Sequence, residues 1–230
     1  MLQNESISNK IYDILKQDIV TNQLAPDARL VISSLSQRFG ISAIPVREAL
    51  FRLAAEKLIV LEHNKGFKVA SKPNVDDIQQ WRQARLLIEP CIAESVIANI
   101  TDAQIDELKQ LNREMRQHAY GPKYEQYSFF INANSDFHKL IVGSCGNRLV
   151  VEMYNALNYG PQVGRLHNER GVPDITLLCD EHDMIISAIE NRNVEAYRSR
   201  TTDHITLGFD RQLDLSRIGS LPDTQAEPSK

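Results

Sequence analysis

The chain has 230 residues, of which 42% are hydrophobic and 24% charged, enough for one or two cores, and two domains are expected. Its formal charge of −4 is unevenly spread: residues 1–72 hold 10 Lys and Arg against 7 Asp and Glu, and residues 73–230 hold 16 against 23, as suits a basic nucleic-acid reader joined to an acidic partner domain. Cys91, Cys145 and Cys179 include no C-x-x-C pair and leave one over in any disulfide scheme, the N-terminus is polar, and no run nears the roughly 18 apolar residues that span a bilayer, which argues against secretion or membrane insertion and for a cytoplasmic protein.

Ile7, Ile11, Ile14, Leu15 and Ile19 recur at helical spacing and predict a first helix from about Ser8 to Asn22, broken by Leu24-Ala25-Pro26-Asp27. Leu30-Val31-Ile32 reads as a small strand. Ser33 to Ala54, SSLSQRFGISAIPVREALFRLA, is organised as a helix-turn-helix. Ser34 and Gln37 have capping-box spacing, Gly40 can end that short helix, and Ser42 caps the next. Pro45 falls in the first turn of the second helix, with Val46, Leu50 and Leu53 as its apolar stripe. Arg47 and Arg52 are left to project, either as a solvated face or as readers of the DNA major groove. A hairpin follows: Ile59 to Glu62, a turn His63-Asn64-Lys65-Gly66 with Gly66 for a positive φ, and Phe67 to Val69. It reads as a wing whose tip carries His63, Lys65 and Lys68 toward phosphates or the minor groove. Ser71 to Asn74 reads as a linker, which closes a DNA-binding domain over residues 1–72.

Beyond it the apolar spacing predicts six antiparallel helices: Asp76 to Asn99, Asp102 to Tyr120, Tyr124 to Val142, Arg148 to His167, Ile175 to Asn191 and Val194 to Leu215. The expected fold is mainly α, a winged helix-turn-helix followed by an all-α bundle over residues 73–215. Residues 216–230 lack apolar periodicity and are expected to form a disordered tail.

The run from Leu24 to Ala70, above all PVREAL followed by the K-G-x-x-V wing, resembles the winged helix-turn-helix of GntR-type transcriptional regulators. The resemblance implies operator contacts from Arg38, Arg47 and residues His63 to Gly66. The sequence departs from that pattern at Ala43 and Ile44, where the family commonly has Arg and Thr, and at Asp27, which replaces a common turn glycine. Residues 73–215 resemble the FCD ligand-binding domain of the FadR-like branch, through RLLIEP at Arg85 to Pro90, N-x-x-x-H at Asn134 to His138, Gly146-Asn147, Glu181-His182 and His204. This resemblance marks the bundle as an effector-binding and dimerisation domain, and six helices are more similar to the VanR subgroup.

Asn134 and His138 share a helix face, and His182 and His204 stand among isoleucines and leucines on the last two helices. Such histidines are either hydrogen-bonded core residues or, on three inward faces, neutral imidazoles for a divalent cation, zinc or nickel foremost, with positions left open. In metal-binding members of the family an aspartate commonly stands where Asn134 is, so a weaker or water-mediated contact is expected there. His63, His118 and His167 fall outside the pattern, and Glu181 is turned about 100° from His182. Arg85 and Glu89 form an i, i+4 pair, either a surface ion pair or, as the family suggests, a pocket in which Arg85, with Arg165 as a second candidate, holds a small carboxylate. The sequence thus reads as a homodimeric regulator that binds double-stranded palindromic operator DNA and is switched by an organic or sugar acid. The alternatives are a metal-dependent hydrolytic enzyme on the bundle, disfavoured by the lack of an H-E-x-x-H helix, and a regulator that binds its effector without metal.

Overall fold

The computed structural model describes residues 6–118, 121, 123–167 and 174–218. Helix α1 (Ile7–Val20) is capped by Ser6, whose hydroxyl accepts from the Asn9 amide, and buries Ile11, Leu15 and Ile19 against α3 (Ala43–Ala55). Between them lie β1 (Arg29–Leu30) and α2 (Ile32–Phe39). Strands β2 (Ile59–Glu62) and β3 (Gly66–Val69) form the hairpin, and the antiparallel sheet runs β1-β3-β2 with Phe67 opposite both Leu30 and Leu61. The winged helix-turn-helix is as the sequence indicates, with two local corrections. Helix α2 starts two residues before Ser34: Val31 is still extended from the strand and acts as N-cap, because Leu30 must pair with Phe67 while Leu35, one turn on, must reach the core. Ser42 stands at the N-cap of α3, but its side chain makes no capping hydrogen bond. The glycine assignments hold, with φ +66 at Gly40 after α2 and +78 at Gly66 in the wing turn.

The second core belongs to α4 (Val75–Ile88), α5 (Ala93–Asn99), α6 (Asp102–Gln117), α7 (Tyr124–Gly143), α8 (Arg148–Asn155), α9 (Tyr159–Gly164), α10 (Ile175–Glu190) and α11 (Val194–Ile218). Two of the six helices expected from periodicity are each interrupted. The first breaks at Glu89–Ile92, where Pro90 has no N–H to continue the ladder. The fourth breaks after Asn155 and resumes at Tyr159, with Asn158 in the left-handed region at φ +49. Residues 216–218, expected in a disordered tail, continue α11, and 219–230 lie outside the described residues. Leu108, Phe137, Ile185, Ile189 and Tyr197 form the centre of the bundle. A satellite cluster of Ile78, Ile205, Phe209 and Leu213, covered by Trp81 and Tyr159, joins α4, α9 and α11.

Residues 71–74 join the two cores without helix or strand, and a side-chain clamp from α9 and the residues flanking it spans them. Asn158 donates to the Ala55 carbonyl (2.8 Å), Gln162 to those of Glu56 and Lys57 (3.3 and 2.7 Å), and Arg165 to those of Ala70 and Ser71 (2.8 Å each). These carbonyls are the open C-terminal end of α3 and the exit of β3, which is why donors from elsewhere satisfy them.

Candidate DNA-reading face, metal centre and pocket

Arg47 is exposed on α3 and has no hydrogen-bond or ion-pair partner among the described residues. Arg38, on α2, is half exposed and paired with Asp18 at 2.8 Å. Arg52 is exposed as expected, but it is not free. Its guanidinium lies 3.9 Å from the Tyr12 ring centroid and donates to Asn9 at 2.6 Å, because α3 packs on α1 and the aromatic face there is a better partner than water. His63, Lys65 and Gly66 form the exposed wing tip, braced by Arg29, which donates to the Lys65 carbonyl (2.6 Å). Lys68 is not at the tip: it is held between Asp27 (3.2 Å) and Glu62 (3.0 Å) on the strand.

In the bundle, α7, α10 and α11 bring His138, His182 and His204 together with all three side chains buried and a ligand atom of each within 4.8 Å of the others. Each ring's Nδ1 meets an oxygen. His204 Nδ1 lies 2.8 Å from Glu181 Oε2, and a carboxylate can only accept, so this nitrogen carries the proton. His182 Nδ1 lies 3.2 Å from Asn112 Oδ1, and the Asn112 amide donates to the Cys179 carbonyl (2.9 Å) and Asp183 (2.6 Å), which fixes its oxygen as the acceptor. His138 Nδ1 lies 3.0 Å from Glu89 Oε2, without the alignment of a hydrogen bond. Nε2 of His182 and of His204 therefore present lone pairs inward; Nε2 of His138 stands 3.2 Å from that of His204, and that of His182 has no partner.

The protonated form is disfavoured at all three rings. Burial, then Arg85, pushes His138 down to about 4; burial also lowers His204, and burial with the neighbouring His204 and His138 lowers His182. Each flanking carboxylate is itself held by an arginine. Burial opposes the charge on Glu89, but Arg85, at 2.5 Å, and His138 outweigh it and keep the carboxyl well below its usual range. Glu181, turned away from His182 as expected, reaches across to α11, where Arg211 binds both its oxygens at 2.9 and 2.8 Å; burial is again outweighed and the carboxyl is lowered.

A pocket opens beside this cluster, lined by Arg85, Asn134, Tyr159, His204, Phe209 and Arg211 among others. Asn134 Oδ1 is buried there without a partner. Arg85 is not on the surface: it is 3% exposed, and its partner Glu89 also accepts from the Tyr154 hydroxyl at 3.0 Å. Arg165, expected in the pocket, instead clamps the two cores. His167, which the sequence pattern set aside, lines the pocket, whereas His118 stacks on Phe129 at 3.7 Å and His63 stays on the wing. Arg211 and Asn112 gave no signal in the sequence beyond lying on helices that face the histidines.

Residues 7–69 match the family model described as bacterial regulatory proteins, gntR family, and residues 80–207 match that of the FCD domain. The chain is 27% identical over 201 residues to the HTH-type transcriptional repressor RspR of Escherichia coli K12, spanning 87% of this chain and 86% of that one. It is 29% identical over 235 residues to the Uxu operon regulator of Haemophilus influenzae, spanning 93% and 86%. The solved structure of E. coli McbR/YncC has the same fold, with a TM-score of 0.64 and 20% identity over 91% of this chain and 98% of that one. No helix among the described residues is long and apolar enough to cross a membrane.

Proposed function

Since the chain belongs to the gntR family of bacterial transcriptional regulators with an FCD domain, we propose that it acts as a homodimer on a palindromic operator, whose affinity changes when a small carboxylate enters the bundle beside a divalent cation. Arg38, Arg47, His63, Lys65 and Gly66 would face the DNA.

The observation that carries the metal reading is the pair of Nε2 atoms at 3.2 Å. His204 Nε2 presents a lone pair; with the His138 proton on Nδ1, which faces a carboxylate, so does His138 Nε2, and the two repel unless a cation lies between them, whereas the other tautomer of His138 would donate to His204. Burial disfavours the extra proton at every ring. Two nitrogens at about 2.0–2.1 Å from one ion lie roughly 3.0–3.4 Å apart, so the spacing fits. His138, His182 and His204, with Asn134 at the edge, would hold the ion. Three imidazoles and a neutral amide suit zinc or nickel.

A bound dication would supply positive charge and open coordination positions. Glu89 and Glu181 are already matched by Arg85 and Arg211, so an entering anion is the natural counter-charge. The organic remainder would rest on Phe130, Ile205 and Phe209. Tyr159, Gly160 and Val163 of α9 line this pocket, while Asn158, Gln162 and Arg165 in and around the same short helix clamp the reader. An acid that favours one position of α9 therefore favours one placement of α3, and equal affinity for both would shift nothing.

The test is metal analysis of the purified protein, a thermal-shift screen of organic and sugar acids with and without a chelator, and operator titration with each hit. About one ion per chain, metal-dependent hits and altered operator affinity are expected. Hits unaffected by chelation would favour the metal-free regulator, and hits that leave operator affinity unchanged would refute the switch.

A further inference from the structure

Ile44 is the second residue of α3 and is 70% exposed; of the large apolar side chains among the described residues, only Leu87 is barer. It shares one face of the helix with Arg47 and Glu48, three and four residues on, both exposed. Phe51, at the far end of that face, packs edge-on against Phe67 of the wing at 5.5 Å. No wing residue covers the near end in this way. The chain thus keeps an uncovered isoleucine in the first turn of the helix, beside an arginine without a partner, while α3 buries Val46, Leu50 and Leu53 on its other side.

An isoleucine can neither donate nor accept a hydrogen bond, so at a base edge it can recognise only shape and apolar surface. In the major groove only thymine offers a methyl group, and the N-terminal residues of a reading helix are those that reach base edges. Ala43, also exposed, adds no side chain that would hold the helix end away from the groove. We infer that Ile44 is a specificity-determining residue that packs on the C5-methyl of a thymine in each operator half-site, next to the base pair that Arg47 reads. This rests on α3 being the reading helix, as proposed above.

The full chain is used to select half-sites from a random duplex library, and each thymine of the selected site is then replaced singly by deoxyuridine, which keeps base pairing and removes only the methyl. At one thymine the replacement should weaken binding about four-fold, the worth of one buried methyl at about 0.8 kcal/mol. At that position Ile44→Ala should bind the thymine and deoxyuridine duplexes alike, with an unchanged melting temperature because the side chain is exposed. If no thymine is sensitive, or if the sensitivity persists in Ile44→Ala, the methyl contact is wrong, and loss of the selected site by Arg47→Ala would leave α3 as the reader. If selection returns no preferred sequence, or Arg47→Ala binds the site as the parent does, the assignment of α3 falls and the methyl contact falls with it.

Discussion

Stripping the protein with a chelator and titrating back zinc or nickel tests the histidine cluster without knowledge of the effector. At a free metal concentration a hundred times Kd, binding to the native state alone adds about 2.7 kcal/mol, or about 5–10 °C in melting temperature for a chain of this size. The pH dependence separates a buried site from a surface one. His138 is held down to about 4 by burial and then Arg85, and burial lowers the other two, so the cluster resists protonation to lower pH than an exposed histidine, which is mostly protonated at pH 5.5. The metal-free protein should also weaken in the same window. The unfolded chain takes up these protons near pH 6.5 and the native state only at lower pH, so stability is complete above 6.5 and lost as the pH falls, by roughly 3 kcal/mol for His138 over its whole shift. Glu89 and Glu181, whose carboxyls are lowered, lose their contribution only as the pH falls below their ordinary 4.5, outside this window. The assay is scanning calorimetry at pH 7.5, 6.5 and 5.5, with and without metal, on the parent, on the double variant His182→Gln with His204→Gln, and on Asn134→Asp. The parent should keep its metal shift at pH 5.5, the double variant should show none, and Asn134→Asp should bind more tightly because a negative ligand replaces a neutral one. A full shift in the double variant would refute the site, and a shift that vanishes between pH 7 and 6 would refute the burial argument.

Arg47→Ala should weaken specific operator binding by about 1–3 kcal/mol in fluorescence titrations, whereas Lys65→Ala should weaken all duplexes alike and reduce the salt slope by about one unit. Arg52→Ala should leave that slope unchanged and lower thermal stability by about 1–2 kcal/mol, through loss of the Tyr12 and Asn9 contacts. Arg165→Ala removes two charge-assisted hydrogen bonds and should loosen the contact of α9 with the reader by about 2–4 kcal/mol. Acid binding by calorimetry should be retained in that variant while the effect of the acid on operator affinity shrinks; an unaltered effect would remove the clamp from the coupling.

Local chemistry determined much of this protein. The apolar periods of Ile11, Leu15 and Ile19 and of Val46, Leu50 and Leu53, with glycines at Gly40 and Gly66 where φ is positive, were enough for the winged helix, since each signal acts within a few residues. The spacing of Asn134 and His138 and the apolar company of His182 and His204 were enough to suggest an inward cluster, because helix phase converts spacing into direction. Tertiary structure decided whatever depended on partners far along the chain. Arg47 and Arg52 look alike in sequence, yet Arg52 is turned onto Tyr12, 40 residues earlier, and Arg165 is spent on Ala70 and Ser71 instead of the pocket. Glu181 came to His204, and Arg211 to Glu181, only because α10 and α11 pack side by side. The inward lone pairs of His182 and His204 follow from those same long-range contacts: a histidine's tautomer is set by what its other nitrogen meets, and here that is an oxygen supplied by a residue on another helix.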